Sequence, residues 1–170
     1  RFPIALGKDG KAYLLNRDNL GGVGGDLASG EVSTNSIITA PAAFPALDGG
    51  SFVIFPARGF KCPGAPSSGS IGALELSPRP APAISVSWCA AFEGDGTPIV
   101  TTTDGHSNPI VWIVGAEGDD RLHAFRGDNG ESVLAGPQVP LTGVRHFAPI
   151  IASREHLFVA ADGRIYAFKR

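Results

Sequence analysis

The sequence has no methionine, few charged residues and no long apolar run. Charged residues make up 18% of the chain, less than the quarter or so that is typical of globular domains. The Lys and Arg residues are scattered and the net charge is −2, so the sequence predicts no basic face for nucleic acid. Apolar runs such as Ile110–Val114 have the length of a strand and are too short to cross a membrane as a helix.

Glycine and proline are abundant instead, with 23 and 14 of the 170 residues. Runs of β-branched and aromatic residues recur between them, a pattern typical of turn-rich β-structure and unlike disorder. No segment of 10 or more residues has a helical period. The sequence therefore predicts an all-β fold.

The strand-sized runs belong to a pattern that occurs four times. Each copy has an apolar strand, a turn with Gly or Asp, and a second strand with a shared core of three residues. The copies are Phe2–Gly22, Ser51–Pro78, Pro109–Ser132 and His156–Arg170. Their core triplets are Tyr13-Leu14-Leu15, Gly72-Ala73-Leu74, His123-Ala124-Phe125 and Tyr166-Ala167-Phe168. The triplets are 59, 51 and 43 residues apart, close to the length of a four-stranded propeller blade, about 40–50 residues.

Further strands complete the predicted blades on either side of these hairpins. Candidates for an inner strand are Ala40–Leu47, Thr97–Thr103 and Phe147–Ser153. Candidates for an outer strand are Ala83–Ala90 and Glu131–Leu134. The four units then run roughly over residues 1–35, 36–92, 93–136 and 137–170 of a single domain.

The pattern resembles the quinoprotein repeat, the repeat of proteins related to those that bind pyrroloquinoline quinone (PQQ). The matching segments are LFVAADGRIYAFKR (Leu157–Arg170), IALGKDGKAYLLNRDN (Ile4–Asn19) and IVWIVGAEGDDRLHAFRGDNGES (Ile110–Ser132). The second copy departs from the pattern through an insert, Gly59–Gly69. The resemblance implies a β-propeller of four-stranded antiparallel blades, with this chain forming C-terminal blades.

Proteins with this repeat fall into two functional classes. Some are periplasmic dehydrogenases that oxidise alcohols or sugars with PQQ and calcium, and others bind a partner and hold no cofactor. This chain lacks the adjacent cysteine pair on which some of the enzymes stack PQQ. We therefore expect a noncatalytic scaffold for a protein or carbohydrate partner, without a cofactor, in the bacterial periplasm or outside the cell. The alternative is the C-terminal part of a PQQ-dependent alcohol or sugar dehydrogenase.

The strand count predicts an incomplete propeller of about three and a half blades. The first unit would begin at its second strand and the last would end at its third. Three interpretations remain open: a fragment of a longer protein, an arc that pairs with a second copy, and a small ring of its own. The fragment and the self-associated arc are favoured, because an open arc exposes sheet edges. The expected partners are the remaining blades or a second copy.

Aromatic and polar side chains supply the candidates for a ligand site. Trp88 and Trp112 could form a platform for a cofactor ring, although packing between blades is the favoured interpretation. Asp104, His106 and Asn108 lie in the most polar loop and could contact a ligand or a metal, although a simple turn is favoured. The four histidines have no zinc-ligand spacing, and we assign no metal site and no catalytic residue.

The segment Arg58–Ser70, which contains the insert, is the remaining candidate, because loops on such scaffolds carry binding, although a plain surface loop is favoured. Arg58 and Lys61 are its candidate ligand contacts. Cys62 lies in the insert and Cys89 lies 27 positions later, so either a disulfide or two buried thiols is possible.

Overall fold

The computed structural model describes residues 2–47, 49–64, 68–134 and 140–170. These residues form thirteen β-strands and no helix, which confirms the prediction of an all-β fold. The first seven strands are β1 (Ile4–Leu6), β2 (Lys11–Leu14), β3 (Ala28–Glu31), β4 (Ala42–Pro45), β5 (Ser51–Lys61), β6 (Ser68–Ser77) and β7 (Ala83–Ala90). The remaining six are β8 (Ile99–Thr101), β9 (Ile110–Val114), β10 (Leu122–Arg126), β11 (Ile150–Ser153), β12 (His156–Ala161) and β13 (Arg164–Lys169).

Strands that follow one another in the chain pair with one another, and the result is four antiparallel sheets. The first sheet contains β1 to β3, the second β4 to β7, the third β8 to β10 and the fourth β11 to β13. The connections within sheets are hairpins, and two of them have Asp-Gly turns. Gly10 and Gly163 in these turns have φ angles of 76° and 68°, which glycine adopts at little cost.

The sheets enclose three apolar cores, one between each sheet and the next. The first core contains Ala12 and Leu14 of the first sheet and Val53, Phe55, Leu74 and Leu76 of the second. The second core contains Ile54, Ala73 and Trp88 of the second sheet and Val111, Ile113 and Phe125 of the third. The third core contains Trp112, Val114 and Ala124 of the third sheet and Ile150, Leu157 and Val159 of the fourth.

Neighbouring residues of one strand therefore belong to different cores. In β5, Val53 lies in the first core and Ile54 in the second. In β9, Val111 lies in the second core and Trp112 in the third. This follows from the alternation of side chains along a strand, and it lets the second and third sheets bury both faces.

The predicted strands agree with the structure except at the outer strand of the third unit. The inner strands β4, β8 and β11 lie within their predicted ranges, and β7 has the predicted bounds. The prediction of a strand over Glu131–Leu134 is wrong, because the segment forms only one bridge, between Ser132 and Phe125. Two backbone hydrogen bonds hold the segment against β10 beside this bridge, from Arg126 N–H to the Glu131 carbonyl at 2.8 Å and from Val133 N–H to the Ala124 carbonyl at 2.9 Å. Among the described residues, only the second sheet has the predicted four strands, and the others have three.

Substitution of Ile54 tests the burial of the second core. Ile54→Ala should lower the free energy of unfolding by about 2–5 kcal/mol, because the side chain is fully buried and its loss leaves a cavity. Ile38→Ala makes the same change at a side chain that is 58% exposed. The control should lose less than about 0.5 kcal/mol in urea denaturation. Equal losses for the two variants would contradict the core.

Candidate functional site

Two clefts lie near opposite ends of β5. The Phe52 cleft has a volume of about 450 Å³ and the Arg58 cleft a volume of about 700 Å³. Phe52 and Arg58 are six residues apart on this strand, so about 20 Å separates them. The candidate residues from the polar loop and from the insert therefore do not form one site.

The floor of the Phe52 cleft is apolar. Phe44 of β4 and Phe52 of β5 are direct partners across the two strands. Their rings stack with centroids 5.1 Å apart at an interplanar angle of 22°. Pro45, Leu47 and Pro109 extend this surface, and the Leu47 side chain is almost fully exposed. A ligand with an apolar face can lie against such a floor.

The rim of the Phe52 cleft is polar and comes from three elements. His106 and Asn108 lie in the loop between β8 and β9, and Glu75 lies on β6. Arg126 at the end of β10 pairs with Asp128, with Nε 3.3 Å from the carboxylate oxygen. The rim thus offers hydrogen-bond donors and acceptors around an apolar floor, the combination found in many ligand sites.

Asp104 organises the polar loop and does not line the cleft. Its carboxylate accepts the backbone N–H of Ser107 at 2.6 Å, the N–H of His106 at 2.9 Å and the Ser107 hydroxyl at 2.8 Å. These hydrogen bonds lower the pKa of Asp104 to about 2. Because the carboxylate stays ionised down to that pH, it holds the loop that presents His106 and Asn108 throughout the physiological range.

The Arg58 cleft is polar and mostly acidic. Its charged lining consists of Arg58, Glu93, Asp95 and Glu117. Arg58 is 80% exposed and lies 3.3 Å from Asp95. The hydrogen bond from His146, at 2.8 Å, lowers the pKa of Glu117. The cleft therefore presents a negative surface on which Arg58 is already paired.

The insert lies beside the Arg58 cleft and continues β5 and β6. Lys61 ends β5 and forms an ion pair of 2.8 Å with Glu31. Cys62 and Cys89 form a disulfide with Cα atoms 5.7 Å apart. The bond ties the described part of the insert to β7, while residues 65–67 of the insert lie outside the described residues.

Both tryptophans lie between sheets. Trp88 is 5% exposed and its indole N–H donates to the Gly127 carbonyl at 2.8 Å. Trp112 is 9% exposed and donates to the Thr101 hydroxyl at 2.9 Å. Burial leaves neither ring face open as a platform for a cofactor, and the described residues do not fit PQQ there. No group of three or more His, Cys, Asp or Glu side chains that could hold a metal ion occurs in the described part of the chain.

The clefts contain residues that sequence reasoning missed. Phe44 and Phe52 lie on the two strands of one short hairpin. Pairing of the strands about its turn would have predicted that the two rings lie opposite each other. Arg126, Asp128 and Glu75 reach the same cleft from other strands, and no sequence signal joins them.

Comparison with protein-family models, with curated proteins and with solved structures found no match. The resemblance to the quinoprotein repeat therefore stays a prediction. In the described residues there is no helix of the length and hydropathy needed to span a membrane.

Reduction tests the contribution of the disulfide. Because the bond closes a loop of 27 residues, dithiothreitol should lower the free energy of unfolding by about 3 kcal/mol in urea denaturation. The Cys62→Ser, Cys89→Ser double variant should have the stability of the reduced chain and should not respond to dithiothreitol. An unchanged wild-type midpoint after complete reduction, verified by thiol titration, would contradict this role.

Proposed function

We propose that the chain is a noncatalytic binding scaffold, an arc of a quinoprotein-like β-propeller that takes a protein or carbohydrate partner at the ends of its sheets. The observation that carries the proposal is the stacking of four antiparallel sheets in chain order through three separate cores. Radial repetition of such sheets is the architecture of a propeller.

Contacts between strands of different sheets support the radial arrangement. The inner strand β4 contacts β8, and β8 contacts β11. At the other edge, β3 of the first sheet contacts β7 of the second. The first strands of the second, third and fourth sheets thus lie side by side, as they would around a common axis.

The two clefts support binding at the ends of the sheets. We favour the Phe52 cleft as the ligand site, and a carbohydrate as its ligand. The half-buried Phe52 ring could take the apolar face of a sugar ring, with the buried Phe44 ring stacked beside it, and the rim could bond to the hydroxyl groups of the sugar. His106 and Asn108 are the proposed polar contacts from the predicted loop.

The disulfide supports a location in an oxidising compartment. Disulfides persist in the periplasm and outside the cell and are rare in the cytosol. A periplasmic or extracellular scaffold is therefore our proposal for the location of this protein, and the bond between Cys62 and Cys89 is its support.

A glycan array tests the proposed ligand site. The labelled chain should bind at least one glycan on the array, and Phe52→Ala should weaken that binding about tenfold, since it removes the accessible ring of the stacked pair. Phe147→Ala is the matched control, because this ring is exposed and lies outside the Phe52 cleft. The control should bind like the wild type, and equal loss in both variants would contradict the site.

The same preparation tests the noncatalytic part of the proposal. With added PQQ and calcium, the chain should not reduce a redox dye in the presence of alcohols or sugars. Dye reduction that depends on both additions would overturn the scaffold and favour the dehydrogenase.

A further inference from the structure

A row of side chains crosses the second sheet at the floor of the Phe52 cleft. Phe52 of β5 lies opposite Phe44 of β4 on one side and opposite Glu75 of β6 on the other. Side chains directly opposite each other on antiparallel strands have Cβ atoms about 4.5–5.5 Å apart. An aromatic pair and a carboxylate are therefore neighbours on one face of the sheet, and all three side chains line the cleft.

The stacking of the two rings leaves one face of the Phe52 ring on the side of Glu75. The first face lies against Phe44, with the ring centroids 5.1 Å apart. Phe44 and Glu75 are on opposite sides of β5, so the second face is turned towards the strand that carries Glu75. Phe52 and Glu75 are both half-buried, and a ligand in the cleft can reach both.

The Glu75 carboxylate has no side-chain hydrogen bond and no ion pair in the part of the chain that the structure describes. The other charged side chains of the cleft lining are Arg126 and Asp128. The Arg126 guanidinium donates to both carboxylate oxygens of Asp128, at 3.3 and 3.4 Å. His106 is the remaining titratable group of the lining. The cleft thus has one carboxylate whose charge no neighbouring cation balances.

A carboxylate beside the open face of an aromatic ring fits an ammonium group. The π face attracts a cation within about 6 Å of the ring centroid, and the carboxylate accepts charge-assisted hydrogen bonds from the ammonium N–H groups. The cleft volume of about 450 Å³ lies within the range of small-ligand sites, about 300–1,000 Å³. His106 and Asn108 on the rim can bond to hydroxyl groups. A ligand with one ammonium group and several hydroxyl groups matches this lining.

We propose that the Phe52 cleft binds a sugar with a free amino group, and that Glu75 selects this sugar. The protonated amine lies against the open face of the Phe52 ring and donates to the Glu75 carboxylate, while hydroxyl groups of the sugar bond to the rim. An N-acetylated sugar lacks the charge, and its binding would take water from Glu75 without supplying a counter-ion. The proposal rests on the carbohydrate site proposed above and names the class of its ligand.

Isothermal titration calorimetry of the full chain with two matched disaccharides tests the selection. The β-1,4-linked disaccharide of glucosamine should bind about tenfold more tightly than the same disaccharide with both amines acetylated, because only the first offers an ammonium group to Glu75. Glu75→Gln should weaken binding of the amine about tenfold and leave that of the acetylated sugar within about twofold. Phe52→Ala should weaken both.

Glu155→Gln is the matched control, because it makes the same change at an exposed carboxylate outside both clefts. It should bind both disaccharides like the wild type. Loss of the preference in this variant as well would indicate general attraction between charges and would overturn selection by Glu75. Unchanged circular dichroism verifies that each variant is folded.

The remaining outcomes separate this proposal from the carbohydrate site on which it rests. Equal affinity of the wild type for the two disaccharides, or a preference that Glu75→Gln keeps, would overturn selection by Glu75 alone. The carbohydrate site would stand in that case if Phe52→Ala still weakens glycan binding. Displacement of the amino sugar by an equal concentration of Nα-acetyl-lysine amide would assign the cleft to basic peptides and overturn the sugar. Absence of binding to both disaccharides and to every glycan on the array would overturn the carbohydrate site itself.

Discussion

The alternation of side chains along each strand is the constraint on which this structure depends. A strand that is apolar on one side can cover one core, whereas β5 and β9 are apolar on both sides and contribute to two. The second and third sheets can therefore lie in the middle of a stack. Each core between two sheets contains side chains from at least one strand that is apolar on both sides. A shift of one residue in register would exchange the two faces of such a strand.

The candidate site is a consequence of the same stacking. Sheets that pack through their centres leave space where strands end, and both clefts occur there. Loops at these ends stabilise themselves through local hydrogen bonds, as those of Asp104 do. The side chains that remain available for a ligand, such as His106 and Asn108, are carried by loops with a defined backbone. The packed sheets thus hold the loops in place, and the side chains near the ends of the strands are the ones that a ligand can contact.

Much of the fold could be predicted because its signals are local. Asp9-Gly10 and Asp162-Gly163 mark hairpins within a few residues, and the alternating run Ala83–Ala90 predicts β7 with its bounds. The prediction of an outer strand over Glu131–Leu134 is wrong, because the segment bonds to β10 only around one bridge, and the sequence pattern does not show how far such pairing extends.

Gly72 shows why a repeat can predict a position without predicting its packing. It takes the place of Tyr13, His123 and Tyr166 in the core triplet. A Cβ atom at Gly72 would lie 2.8 Å from the ring of Phe60, so the second sheet fills this space from its insert. The Phe52 cleft could not be predicted from the repeat either. Its residues Glu75, His106 and Arg126 are distant in sequence and come together only through the stacking of sheets.

Methyl-to-methyl nuclear Overhauser effects measure the central claim most directly, because they report which sheet each side chain contacts. In a chain labelled at Ala, Ile, Leu and Val methyl groups, Val53 should show contacts to Ala12 or Leu14 of the first sheet. Its neighbour Ile54 should show contacts to Val111 or Ile113 of the third sheet. Contacts from both residues to the same sheet would contradict a stack in which each inner sheet buries two faces.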